Sequence, residues 1–172
     1  MAPATAKPGA AFAYDNTNYI LLGLIIEKVT GRGLVEGLQR DLWSPAHLRR
    51  LAYQDAHVTV LGGAGAVAGD AESVARWGYE LYGSRLLPAG SVAQMTDFSD
   101  GDGYGLGTWD FSAVGNGRLN IDAVGHTGDS LGYRSVMAVF REAQVSVAIL
   151  TPSATEVVPL VQYLVKAGSL LH

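Results

Sequence analysis

The stretch from Pro8 to Gly31, PGAAFAYDNTNYILLGLIIEKVTG, limits the possible folds more than any other part of the chain. Ile20, Leu21, Leu22, Leu24, Ile25, Ile26 and Val29 fall in one helical run from about Asn18 to Thr30. Aliphatic residues around most of a helix predict burial on nearly all of its sides. Glu27 and Lys28 are expected at its exposed end, with Gly31 as a left-handed stop. Ahead of the helix lie a Pro-Gly turn and the polar loop Tyr14-Asp15-Asn16-Thr17-Asn18. A polar, aromatic loop at the mouth of a buried helix is a place where a rigid scaffold can present reactive side chains.

A chain of 172 residues fits one domain or most of one. With 48% hydrophobic and 16% charged residues it forms a core. The net charge is -4 and no Lys/Arg block occurs, which argues against a nucleic-acid groove or an anionic membrane surface. The absence of cysteine excludes disulfides, thiolate metal sites and thiol nucleophiles. The segment MAPATAKPGAAF lacks the apolar core of a signal peptide. Ile20 to Ile26 is far shorter than the roughly twenty residues that span a bilayer, so no membrane span is expected. The compartment is left unassigned.

Helices come first. Leu34 to Leu42 repeats apolar residues at helical spacing and ends at Ser44-Pro45. A short strand is expected at His57 to Leu61, then a Gly/Ala loop, Gly62 to Gly69. Asp70 reads as the N-cap of a helix through Tyr82, with Val74, Trp77, Leu81 and Tyr82 inward. Pro88 to Met95 reads as another short helix. Strand-like segments follow at Tyr104 to Phe111, Leu119 to Val124, Tyr133 to Phe140 and Val145 to Leu150. Phe140 to Gln144 reads as a hairpin connection, and the run VSVAIL as a strand buried on both faces. Glu156 to Leu171 closes the chain as a helix. Helices, then an antiparallel meander, then a C-terminal helix argue an α+β fold. The chain reads as a single domain, 1–172, mainly helical over 8–100 and sheet plus helix over 104–172.

Several residues could carry chemistry. Tyr14 and Asn16 alone fit either turn chemistry or a site. His126-Thr127-Gly128 fits either a strand with a satisfied histidine or a strand edge lining a cleft, where Thr127 bonds a ligand and Gly128 lets it approach. GGAGAVAG is only a variant of a dinucleotide fingerprint, and the second acidic-ended strand that should follow is replaced by Gly83 to Pro88. His47, His57, His126 and His172 show no paired metal-ligand spacing, and no cofactor is expected. Asp97, Asp100 and Asp102 read as a solvated turn with too few oxygen ligands for calcium.

Taken together, the Pro8–Gly31 block, GGAGAV before a helix, YGLG at Tyr104 to Gly107, GHTG at Gly125 to Gly128 and the strand VSVAILTPS resemble a known family. The chain is similar to the C-terminal portion of penicillin-recognising serine hydrolases. These are the class C β-lactamases, D-alanyl-D-alanine carboxypeptidases and related esterases. The resemblance implies a partial β-lactamase/transpeptidase-like fold and a cleft where Ser-x-x-Lys, Tyr-x-Asn and a Lys/His-Thr/Ser-Gly strand converge. It implies catalytic roles for Tyr14 and His126, and substrate binding by Asn16, Thr127 and Gly128. A backbone N–H of the same strand would serve the oxyanion hole. The partner implied is a small-molecule acyl substrate or a β-lactam.

The chain departs from that pattern at the nucleophile. Its lysines, Lys7, Lys28 and Lys166, are preceded three positions earlier by Ala4, Ile25 and Tyr163, so no Ser-x-x-Lys is present. Ser73-Val74-Ala75-Arg76 is no substitute, because arginine stays protonated. The expectation is a serine hydrolase whose nucleophile segment is absent from this chain. The alternative is a non-catalytic ligand- or partner-binding fragment. The same resemblance predicts a sheet of about three strands with an open apolar edge at Val145 to Leu150, and a first helix partly uncovered. Such a chain would associate with itself or with the missing N-terminal segment. Asp129, after the Thr-Gly pair, would repel a substrate carboxylate unless Arg134 offsets it, favouring ester or amide substrates over carboxypeptidase ones.

Overall fold

A computed structural model describes residues 6–53, 59–112, 122–130, 132–153 and 156–168. The chain forms two compact units, one of residues 1–37 and 53–67, the other of residues 38–52 and 68–172.

The first unit is built on α1, Asn16–Thr30. Gly31 ends it in the left-handed conformation, its N–H donating to Glu27 O. The following α2, Leu34–Leu38, is tied back by the Leu34 N–H, which donates to the Glu27 carboxylate at 2.8 Å. The 3₁₀ turn Thr59–Ala64 packs on α1, with the Gly63 backbone close against Gly23. The sequence predicted a strand at His57 to Leu61. Its first two residues lie outside the described ones, and the rest belong to this turn, which Gly62 kinks at φ 46°. Expected burial on nearly all sides of α1 is corrected as well. Gly23 is its one buried residue, while Leu21, Leu22, Leu24, Ile25, Ile26 and Val29 are 45–79% exposed. The 3₁₀ turn covers one face of the helix and leaves the aliphatic remainder in solvent.

The second unit carries the sheet. A π-helical turn, Gln39–Trp43, extends α2, and β1, Ala52–Tyr53, pairs with β2, Val67–Ala68, in a two-stranded sheet. Asp70 caps α3, Ala71–Tyr82, by accepting the Ser73 N–H at 2.8 Å, as its position in the sequence predicted. Pro88 starts α4, Ala89–Met95. The sheet then runs in antiparallel order through β3 (Trp109–Asp110), β4 (Ala123–Ser130), β5 (Tyr133–Phe140) and β6 (Val145–Thr151). The chain closes with α5, Val157–Gly168, and the end of the helix expected to Leu171 lies outside the described residues. This is the α+β architecture expected.

Strand alternation puts one set of side chains on each face of the sheet. Ala123, Val136, Ala138 and Phe140 join Phe111 and the α5 residues Val161 and Leu164 in one core cluster. Val124, Met137 and Val139 join Leu81, Tyr82 and Val92 of α3 and α4 in the other. β6 was expected to be buried on both faces. Val145, Val147 and Ile149 do pack on the first cluster and Ala148 on the second. Yet every residue of β6 is only half-buried, because the strand ends the sheet and has no ladder partner on its outer side among the described residues. The open edge at Val145 to Leu150 is therefore present, on a sheet of four strands.

Candidate active site

The tyrosine loop belongs to the first unit. Asp15 has extended backbone, and its carboxylate accepts the Thr17 N–H at 2.7 Å. This satisfies one of the donors that the start of a helix leaves unpaired. The bond also holds the Asp15 carboxyl below its ordinary range. The helix begins at Asn16, two residues before the expected Asn18, and Asp15 was the signal that would have shown it. Starting the helix here brings the Tyr-x-Asn pair together: the Tyr14 hydroxyl donates to Asn16 Oδ1 at 3.2 Å. An asparagine accepting through Oδ1 presents its two N–H donors elsewhere. The Tyr19 ring lies 5.7 Å from that of Tyr14. Burial first, and Tyr19 second, push the Tyr14 hydroxyl above its ordinary 10.0. A phenol that shuttles a proton near neutrality needs the opposite shift, from a nearby cation.

The His-Thr-Gly motif belongs to the second unit. The sequence placed a strand at Leu119 to Val124. Leu119, Asn120 and Ile121 lie outside the described residues, and β4 runs from Ala123 through the whole motif to Ser130. Gly125 to Ser130 extends the expected strand past Val124, and full pairing with β5, from Ala123↔Phe140 to Ser130↔Tyr133, holds the His-Thr-Gly motif in the strand that both readings of it required. On its other side β4 meets β3 only at Val124 and Gly125. The Phe111 N–H donates to Ala123 O, so Ala123, Gly125, Thr127 and Asp129 turn their backbone groups to that side. From Thr127 on, β4 has no ladder partner there among the described residues. An edge of this kind can take a ligand's main chain as an added strand.

His126 sits on the face of β4 shared with Val124. Its Nε2 lies 2.9 Å from the Tyr104 hydroxyl and its Nδ1 2.6 Å from Thr127 O. Burial lowers the imidazole pKa below its ordinary 6.5, and the contact with Thr127 opposes that shift. Tyr104 is 7% exposed, with the Trp109 ring edge-on at 4.4 Å. The strand expected from Tyr104 to Phe111 is interrupted. Gly107, at φ 69°, folds the chain back so that Tyr104 bridges Trp109 and the Gly105 N–H donates to Thr108 O at 2.8 Å. Only glycine adopts that conformation without strain. The YGLG motif is thus a turn that seats a tyrosine under the histidine. The motif is legible in the sequence but the role of Tyr104 is not, since nothing local links it to a residue twenty-two positions on.

Asp129 and Arg134 face each other across β4 and β5 and form an ion pair at 2.5 Å. Arg134 thus offsets the charge of Asp129. Among the described residues no group of three or more His, Asp or Glu is arranged to hold a metal. No helix there is long and apolar enough to cross a membrane.

The antiparallel sheet with helices on both faces, in a chain that also holds a Tyr-x-Asn helix start, is an α+β fold of the β-lactamase/penicillin-binding-protein type. The Beta-lactamase family model matches residues 2–163, and the chain belongs to that family. A D-stereospecific amidohydrolase from Streptomyces sp. is 26% identical at a TM-score of 0.72, over 85% of this chain and 52% of that one. A penicillin-binding protein from Bacillus halodurans superposes at 0.80 with 20% identity, over 96% of this chain and 59% of its own. An octameric penicillin-binding protein homologue from Pyrococcus abyssi superposes at 0.80 with 23% identity, over 98% and 44%. The chain therefore spans about half the length of these structures.

Proposed function

We propose that the chain supplies the tyrosine and strand components of a serine acyl-transfer site, and that a Ser-x-x-Lys segment outside these 172 residues supplies the nucleophile. In this reading the serine attacks an acyl carbonyl and Tyr14 relays the proton. Asn16 bonds the substrate amide, while Thr127 and Gly128 hold the far end of the substrate. A backbone N–H on the open edge of β4, at Thr127 or Asp129, stabilises the oxyanion. The observation that carries the reading is that open edge, bearing the family's His-Thr-Gly motif in a chain of the Beta-lactamase family. The upward shift at Tyr14 fits a half-site, since the cation that would reverse it is the lysine this chain lacks.

The substrate class follows from charge. Asp129 and Arg134 neutralise each other, so the strand offers a carboxylate neither strong repulsion nor a spare cation. An ester or an amide without a free carboxylate fits better than a peptide with a terminal carboxylate. The names of two neighbours, a D-stereospecific amidohydrolase and a D-amino acid amidase, support an amide. The uncovered aliphatic face of α1 supports a partner that covers it, either the remaining portion of the fold or a second copy of the chain.

A second reading, a ligand- or partner-binding fragment without chemistry, is favoured by the missing Ser-x-x-Lys alone. The two separate in a complementation assay. The chain is mixed with a polypeptide carrying the Ser-x-x-Lys portion of the fold, and hydrolysis of a chromogenic ester and amide is followed. Acyl transfer predicts activity that appears only in the mixture and falls about 10²-fold or more with Tyr14→Phe. A stable complex with no turnover above the separate polypeptides supports the binding reading.

A further inference from the structure

The contacts around His126 fix more than its position. Nδ1 faces the carbonyl oxygen of Thr127, and a carbonyl only accepts, so Nδ1 carries a proton. Burial disfavours the doubly protonated, charged ring. In a neutral ring with Nδ1 protonated, Nε2 is an acceptor, and the hydroxyl 2.9 Å away must donate to it. The tautomer is thus assigned from the partners on both nitrogens.

We infer that Tyr104 is a positioning residue for the His-Thr-Gly strand: its hydroxyl donates to His126 Nε2 and, together with the Thr127 carbonyl that accepts from Nδ1–H, holds the neutral imidazole from both nitrogens beside the open edge of β4. Three features hold Tyr104 to this task. It is buried, it is bridged to Trp109 with the ring edge-on, and the turn at Gly107 sets its height beside β4. The consequence rests on the acyl-transfer reading. The strand meets its substrate with an engaged neutral imidazole in place of a cation, so His126 orients the strand and the proton relay falls to Tyr14.

The test is independent of turnover, so its failure cannot be confused with failure of that reading. Long-range ¹H–¹⁵N correlation spectra of the chain, with ¹⁵N-labelled histidine at pH 7, report which ring nitrogen of His126 is protonated. The expected result for the unaltered chain is Nδ1 protonated and Nε2 bare. An Nε2–H tautomer or an imidazolium overturns the inference without any variant being made. In Tyr104→Phe, which keeps the ring and its packing, His126 is expected to keep its Nδ1–H tautomer while the Nε2 resonance moves toward that of an unbonded ring nitrogen, with the backbone spectrum otherwise preserved. An unchanged Nε2 resonance in a folded Tyr104→Phe chain overturns the role given to Tyr104. Should Tyr104→Phe fail to fold, Tyr104→Met, a flexible apolar side chain with no hydrogen-bond donor, is held to the same two outcomes.

Discussion

Gly125→Ala is the sharpest steric test of the strand that carries the His-Thr-Gly motif. A Cβ at this position would fall against the Met137 carbonyl oxygen, with the carbonyl carbon 2.9 Å and Phe111 Cε2 3.0 Å away. Carbon atoms pack best at about 3.5–4.0 Å, so β4 must retreat from β5 by about 0.6 Å or more. Ladder bonds near 2.9 Å would then stretch to about 3.5 Å, the limit of a useful hydrogen bond. Losing two such bonds at about 1 kcal/mol each, plus about 1 kcal/mol of disturbed packing at buried Phe111, gives about 3 kcal/mol. For a chain of this size that lowers Tm by about 6–12 °C. Gly128→Ala is the control. Its new Cβ would meet the hydroxyl of Ser135, a side chain free to rotate, with Ser135 Cβ at an ordinary 3.6 Å. It should cost under about 1 kcal/mol. Urea or thermal unfolding of both variants settles the matter. If Gly125→Ala unfolds within about 0.5 kcal/mol of the unaltered chain, the tight β4–β5 approach and the register built on it are wrong.

Other predictions follow from single contacts. Tyr82→Phe removes the hydroxyl that meets Thr108 Oγ1 at 3.0 Å in a buried setting, and should cost about 1 kcal/mol in denaturant unfolding, as the loss of one buried hydrogen bond. Asp70 is held at about 2, first by its bond from Arg50 and then by the capped Ser73 N–H. Its folded value lies below the unfolded one, so its stabilisation is complete above 3.8 and fades as pH falls through about 2. Asp70→Ala should flatten that part of the Tm–pH curve. His126 is also depressed in the folded chain, so stability should drop as pH falls below 6.5, and His126→Gln should remove that drop. Ile25→Lys on the uncovered face of α1 should leave Tm nearly unchanged and weaken any association seen by analytical ultracentrifugation.

Elements whose signals are local were legible in the sequence. β5 has the predicted bounds, and α3 begins after Asp70 because an aspartate cap acts within one turn. Gly31 ends α1 for the same kind of reason. Misreadings arose where distant chain decides. Aliphatic residues around α1 promised burial, but burial depends on what packs against the helix, and a 3₁₀ turn covers one face. The polar, glycine-containing run from Gly125 to Ser130 has weak strand propensity, and pairing with β5 overrides it. In the candidate site, Tyr14, Asn16, His126, Thr127 and Gly128 were nameable from motifs. Tyr104 was not, because its bond to His126 exists only once the Gly107 turn folds the chain back.

The central claim is that this chain holds part of an acyl-transfer site and lacks its nucleophile. The most direct measurement is intact mass after exposure to a labelled β-lactam or an activated phosphonate, reagents that trap an acylating serine. It is made on the folded chain alone and on the chain mixed with the Ser-x-x-Lys portion of the fold. The account predicts no adduct on this chain in either sample, and a stoichiometric adduct on the added serine in the mixture. A stoichiometric adduct on any serine of this chain, located by peptide mapping, would contradict it.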